Sequence, residues 1–519
     1  MRVLVAEKLA AEGTDLLRSV HEVDVRTDLS RADLLKALPD YDALLVRSGV
    51  QVDAEAITAG TRLTVVGRAG VGIDNIDLDA ATRAGITVVN APTGNTIAAA
   101  EHTLALLYAV ARRIATADAS LRRGEWRRND FIGVELRGKA LGIIGLGKIG
   151  MAIADRARTM EMEVVGHDPF VTAEAAANHG VTLADRADVI ARADVLTLHV
   201  PLTRQTRNLL DAEALATMRP GAIVLNVARG GLVDEAALAA ALREGRLGGA
   251  GIDVFEMEPP VGSPLLGAPN TVLTPHLGAA TEEAQVRVAV EAAQQVLDVL
   301  AGRPARYAVN APILTPETAR ALGPFLPLTE MLGQLYAQLA GNVDSLTLEV
   351  SGELAAHDST PLAAAALRGL LETVTVERVN QVNAPALAKA RGIRLVERRS
   401  PDAGRYASLV TLAGTTIVGG TIGALGEPHL VRLGEHWLDM QPEHWMLITR
   451  HHDRPGTIGK VGLILGEADV NISAMHLARS TPRADAFMII ALDDPVPDDA
   501  AARIRALDAV MDLWVVRLG

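Results

Sequence analysis

Arg229 in NVARGGLVD, Glu258 in DVFEMEPP and His276 in LTPHLGAAT are a cation, an acid and an imidazole, each at or just past the end of an aliphatic run. A neutral imidazole can take a hydroxyl proton near pH 7. A carboxylate on its other ring nitrogen fixes the tautomer and stabilises the imidazolium, which raises the imidazole pKa. A guanidinium can grip a substrate carboxylate and polarise a carbonyl oxygen. Together the three types suit hydride transfer between a secondary alcohol and the matching carbonyl. Each type also has an ordinary use. A histidine after a strand is often structural, a glutamate before Pro-Pro is usually a solvated loop acid, and an arginine before Gly-Gly usually makes a surface ion pair.

A second pattern narrows that choice. Leu141–Gly150 reads LGIIGLGKIG, an aliphatic strand running into GxGxxG and then a helix. Gly145 permits the tight turn, Gly147 lets backbone approach a pyrophosphate, and Gly150 lets the helix pack close to the sheet. The helix start at Lys148 and Ile149 offers amide donors and a positive dipole end. The next aliphatic run, Glu163–Gly166, ends in His167-Asp168. A carboxylate there can accept from the ribose hydroxyls, and it would repel a 2′-phosphate. Pro169 and Phe170 follow, with no arginine to receive such a phosphate, so the expected cofactor is NAD. The alternative for Asp168 is a loop acid or a helix cap.

These residues need a sheet whose strand ends converge. In open α/β sheets, ligands bind beyond the carboxyl ends of the strands. Six aliphatic runs from Lys139 onward, separated by helical segments, predict a doubly wound parallel sheet. An earlier set, Arg2–Ala6, Ala43–Val46, Thr64–Arg68 and Thr87–Asn90, predicts a separate parallel sheet of flavodoxin-like type. An Ala-rich helix is expected from about Thr96 to Leu121, with Glu101 and His102 near its start. A helix from about Thr281 to Leu300 is expected to return to the first sheet. The expected fold is therefore α/β, with residues 96–281 as a dinucleotide domain inserted in a substrate domain of residues 1–95 and 282–310. Residues 311–441 read as a mixed α+β region. Residues 442–519 read as βαββαβ, a ferredoxin-like unit.

Composition sets the outer limits. Over 519 residues, 49% are hydrophobic but only 3% aromatic, so the cores must be aliphatic, as parallel sheets require. A net charge of −13 argues against a nucleic-acid partner. With no cysteine, disulfides and thiolate chemistry are excluded, and no metal site is expected. No uninterrupted apolar stretch suggests a membrane span. The N-terminal MRVLVAEKLAAEG reads as strand and helix rather than a signal peptide, and a cytoplasmic location is expected.

NVARGGLVDEAAL, GAGIDVFEMEPP and LTPHLGAAT closely resemble the signature segments of the D-isomer-specific 2-hydroxyacid dehydrogenases. That resemblance implies Arg229 as the substrate-anchoring arginine, Glu258 as the histidine partner and His276 as the acid–base. It implies Asp253 on the nicotinamide carboxamide. It places Val227, Ala228, Gly278 and Ala279 along the nicotinamide, and His199 and Pro201 near the adenosine end. LLVRSGVQV and the segment 66–102 resemble the phosphoglycerate-oxidising branch. On that likeness Arg47 and Ser48 would bind a 3-phosphate, the backbone at Val71 and Gly72 the carboxylate, and Asn95 would add a polar contact. Where that branch often carries a further basic residue, this chain has Val50-Gln51, so a second cation must come from elsewhere. The implied substrate is 3-phosphoglycerate.

The segment HHDRPGTIGKVGLILGEADVNISAMHLAR resembles an ACT domain, a module that senses amino acids. His451, Asp453 and Asn471 are the implied contacts to an L-serine effector. Residues from about 315 to 440 resemble the intervening domain of the long forms of that branch. A homotetramer follows from the same resemblance.

Overall fold

The computed structural model describes residues 1–312, 316–375, 378–479 and 481–519. Aliphatic runs buried on both faces build two parallel sheets. The first has five strands in the order Glu22–Val25, Arg2–Val5, Ala43–Val46, Val65–Arg68, Thr87–Asn90, which is the flavodoxin-like order. Its Glu22–Val25 edge strand alternates charge with valine and is half exposed. That pattern left no aliphatic run to see in the sequence.

The second sheet has seven parallel strands. Thr182–Leu183, Glu163–His167 and Ala140–Ile144 form one half, and Val195–Leu198, Ile223–Asn226, Gly249–Ile252 and Thr271–Leu273 the other. The strand order reverses between Ala140–Ile144 and Val195–Leu198, which makes that junction the switch point. The seventh strand, Thr182–Leu183, spans two residues and was not expected.

The single long helix expected from Thr96 to Leu121 is two helices, Thr96–Ala111 and Ile114–Arg122. Arg113 between them stands at φ 51°, a left-handed backbone that no α-helix accommodates. The first of the two carries Leu106, Leu107 and Val110 into the core of the dinucleotide sheet. The Glu282–Leu300 helix is capped by the Thr281 hydroxyl, which accepts from the Ala284 amide at 3.2 Å. It lays Ala293, Val296, Leu297 and Leu300 against Val3, Val5, Val65 and Val89 of the first sheet.

The third sheet is mixed, with six strands between Ser345 and Met440. The helices Phe325–Ala340 and Thr360–Glu372 pack together over it. The fourth sheet is antiparallel and ordered Ile472–Arg479, Asp485–Leu492, Trp445–His452, Val510–Arg517. With helices Thr457–Glu467 and Asp498–Arg505 on one face, it is a βαββαβ unit. Its other face shares one core with the third sheet. Met446, Ile448, Ile489 and Val516 pack in the same cluster as Leu335, Tyr336 and Leu438. Gln338 adds paired bonds to the Arg517 backbone, at 2.7 Å and 2.9 Å.

Candidate active site

The ends of the second sheet's strands face the ends of the first across a cavity of about 360 Å³. Val71, Gly72, Asp74 and Asn95 line one wall; Val227, Ala228, Arg229, His276, Gly278 and Ala279 line the other. Ile149, His199 and Pro201 close one end. A larger cavity, about 750 Å³, lies between the Glu282–Leu300 helix, the Phe325–Ala340 helix and the C-terminal residues. It holds neither Arg229 nor His276, so chemistry rather than volume identifies the smaller one.

His276 Nδ1 lies 2.8 Å from Glu258 Oε2. The carboxylate only accepts, so Nδ1 carries the hydrogen and Nε2 is left with its lone pair. Glu258 is itself held by the Phe255 amide at 3.2 Å. His276 adopts φ 56°, an unusual conformation for a non-glycine residue. Two bonds hold it there: its amide donates to the Asp253 carbonyl at 2.8 Å and to the Thr274 carbonyl at 3.0 Å. The cost of such a backbone is of order 1–3 kcal/mol and persists only where neighbours fix it.

Arg229 stands on the same wall. Its Nε donates to Asp74 at 3.0 Å and its Nη1 to the Ala228 carbonyl at 2.6 Å. A Cβ on Gly72 would lie 1.9 Å from Arg229 Nη2, so only glycine lets the guanidinium close on this loop. Behind Asp74 sits Arg68, which the sequence reading did not single out. Burial and the charge of Arg229 push its guanidinium down to about 10, Arg47 adds to this, and Asp74 and Glu7 oppose it. It remains a cation at neutral pH. Arg68, Arg47 and Arg229 thus form one positive region. No local motif flags Arg68, because the other two cations of the region, Arg47 and Arg229, lie on other loops.

Arg47 and Ser48 are not among the residues lining this cavity. They lie on a loop after Ala43–Val46 that Glu7 and Asn75 shape. Glu7 accepts from the Arg47, Gly49 and Val50 amides, and Asn75 donates to the Arg47 and Val50 carbonyls. Neither Glu7 nor Asn75 was picked out from sequence.

The glycine loop suits a dinucleotide. A Cβ on Gly145 would lie 2.4 Å from the His199 carbonyl, and one on Gly150 would lie 2.1 Å from the Gly145 carbonyl. Both glycines are therefore needed for the Lys148–Thr159 helix to sit this close. A Cβ on Gly147 would meet nothing within 4 Å, so the helix start opens onto free space. Asp168 accepts from the Leu146 and Phe170 amides, both at 2.9 Å, which leaves lone pairs for hydroxyl donors. Asn95 Oδ1 is a buried acceptor with no partner in the protein, and its residue lines the cavity. Lys148 Nζ sits 5.3 Å from the Tyr307 ring centroid, so it spans the two sheets' domains rather than pointing at the loop. Burial pushes the His199 imidazole down to about 3, so it is neutral here, with Nε2 2.8 Å from the Thr197 hydroxyl.

Asp253 is wholly buried and does not line the cavity. Burial alone would raise its carboxyl, but bonds from His102, Thr274, Leu277 and Gly278 outweigh that and hold it below the ordinary range. It shapes the wall through the loop it anchors. The residues expected to hold an effector do not meet within this chain. His451 and Asp453 lie beside Ala486 and Ala484, at one end of the Asp485–Leu492 strand; Asn471 donates to Asp493 at the other end. At ~3.4 Å per residue the two ends are roughly 20 Å or more apart. His451 is also buried, which pushes its imidazole down, and Asp453 is paired with Arg479 and the Arg483 amide. Among the described residues no group of acids and histidines could hold a metal.

Three family models match the chain: the D-isomer specific 2-hydroxyacid dehydrogenase NAD binding domain over 104–278, the D-3-phosphoglycerate dehydrogenase intervening domain over 321–434, and the ACT domain over 445–509. A D-3-phosphoglycerate dehydrogenase of Synechocystis sp. is 46% identical, over 100% of this chain and 95% of its own. The chain belongs to the D-3-phosphoglycerate dehydrogenase family. A Methanocaldococcus jannaschii member is 41% identical over 100% of both chains. The crystal structure of the TT0316 protein from Thermus thermophilus is 40% identical with a TM-score of 0.56, covering 60% of this chain and 100% of that one. As a member of this family the chain is an NAD-dependent oxidoreductase. No helix among the described residues is long and apolar enough to cross a membrane.

Proposed function

We propose that the chain oxidises 3-phospho-D-glycerate to 3-phosphohydroxypyruvate with NAD, opening L-serine synthesis, and that Arg229, Glu258 and His276 carry the chemistry. The observation that carries this reading is the gathering of Arg229 and His276 with Val71, Gly72 and Asn95 around one cavity between the two parallel sheets.

Arg229 takes the substrate carboxylate, aided by the amides at Val71 and Gly72, and Asn95 contributes its unpartnered acceptor to the same polar wall. The phosphate lies toward Arg47 and Ser48, where Arg68 adds buried positive charge that attracts a dianion. His276 Nε2 removes the proton from the C2 hydroxyl. Glu258 holds the ring in the tautomer that allows this and stabilises the imidazolium that results. NAD, when bound, supplies the acceptor for the hydrogen and electron pair leaving C2. Gly145, Gly147, Lys148, Ile149 and Gly150 would hold its pyrophosphate and Asp168 its adenosine ribose.

In this reading the protein works as a cytoplasmic homotetramer with L-serine as effector. The ACT match supports an amino-acid effector. Because His451 and Asn471 lie at opposite ends of the sheet, a serine site using both draws them from two copies. Exposed Trp126, Ile132, Leu121 and Ile114 provide apolar surface for association. The test is a steady-state assay with 3-phospho-D-glycerate and NAD, with and without L-serine, beside D-glycerate, D-lactate and glyoxylate with NADH. Equal turnover of the unphosphorylated acids would overturn the assignment.

A further inference from the structure

The buried Asp253 carboxylate sits where two distant parts of the chain meet. Three donors come from the segment that carries His276: the Thr274 hydroxyl at 2.6 Å, the Leu277 amide at 2.6 Å and the Gly278 amide at 2.8 Å. The fourth is His102 Nε2 at 3.2 Å, from the Thr96–Ala111 helix, 151 residues earlier. Asp253 is ionised and accepts only, so the hydrogen in this contact is on Nε2. Thr274 gives its own hydrogen to Asp253 and lies 3.1 Å from Nε2, so the imidazole hydrogen is shared between them. His102 does not line the cavity.

We propose that His102 is a positioning residue for His276: through Asp253 it locks the 274–278 loop that presents the catalytic imidazole. The claim rests on the reading of His276 as the base. It has a geometric reason. His276 stands in a left-handed conformation that few non-glycine residues adopt, and its neighbours hold it there. The Asp253 main chain holds the His276 amide, and the Asp253 side chain holds the two amides that follow. His102 ties that anchor to a helix whose N-cap is Asn95, on the cavity wall. One helix therefore sets a substrate contact directly and the base at second hand.

Glu258 touches the His276 ring, Arg229 stands on the same cavity wall and Asp74 on the facing one, and Asp253 anchors the loop. A loop that slackens lengthens the Glu258 contact and misplaces Nε2. The full-length His102→Leu and His102→Gln variants test this, the second keeping an N–H donor. In His102→Leu, kcat should fall about tenfold or more with KM for 3-phospho-D-glycerate within about twofold, since small misplacements of a base are costly. His102→Gln should restore most of kcat. A loss of folded protein lowers the number of active sites, so kcat is taken per NAD-binding site counted by isothermal titration, and a lowered kcat per site at unchanged KM marks a misplaced base. Should His102→Leu not fold, Thr274→Val removes another donor to the same carboxylate and should lower kcat per site in the same way. An unchanged kcat per site, or a His102→Gln no better than His102→Leu, overturns the inference. Absence of wild-type turnover on any 2-hydroxy acid would instead defeat the reading of His276 as the base.

Discussion

Arg229 is not waiting empty-handed for a carboxylate: Asp74, mostly exposed, already provides one at 3.0 Å. A substrate must compete with it. An exposed pair of this kind is worth about 0–1 kcal/mol, so Asp74→Asn should lower KM for 3-phospho-D-glycerate by up to about fivefold. Initial-rate kinetics decide it, and a raised KM would mean that Asp74 instead aims the guanidinium. His199 offers a second residue-level consequence. Its imidazole is held near 3 in the fold, against about 6.5 when unfolded. As pH falls below 6.5 the unfolded chain takes this proton and the native one does not, so stability is lost progressively down to about 3. Between pH 7.5 and 5.5 that amounts to about 1 kcal/mol. His199→Asn should remove this loss, seen as a smaller drop in urea midpoint than in the wild type over that interval.

The glycine-loop helix shows what an element demands of a single atom. A Cβ on Gly150 would press on the Gly145 carbonyl, a backbone atom with no way to yield. Gly150→Ala should therefore lift the helix start, cost about 1–3 kcal/mol as overpacking does, and weaken NAD binding in isothermal titration more than it lowers the thermal midpoint. Elements like this one are legible in sequence because their signal is local. Strands such as Ala140–Ile144 and Ile223–Asn226 are buried on both faces and read as unbroken aliphatic runs. Glu22–Val25 and Thr182–Leu183, both at sheet edges, lack such runs and were not foreseen. The break at Arg113 leaves no proline or glycine to announce it. The site divides in the same way. Arg229, Glu258 and His276 stand in short distinctive segments, whereas Asp74, Glu7 and His102 act through partners 40 to 155 residues distant. Only the folded chain brings those pairs together, and only register shows Asn471 and His451 at opposite ends of one sheet.

At the scale of the whole molecule, the third and fourth sheets are one body. Leu335 and Tyr336 meet Met446, Ile448 and Val516 in a single buried cluster, and Gln338 is bonded to the last strand. Calorimetry of the full chain should show the two melting in a single transition. The Gln338→Ala variant should lower the midpoint of that transition alone, while two resolved transitions would contradict a common core. The consequence reaches the workbench. A chimera that borrows the sensing module from this chain must be spliced upstream of Phe325, because a joint at residue 442 would strip away half of the apolar wall on which the module's sheet is seated.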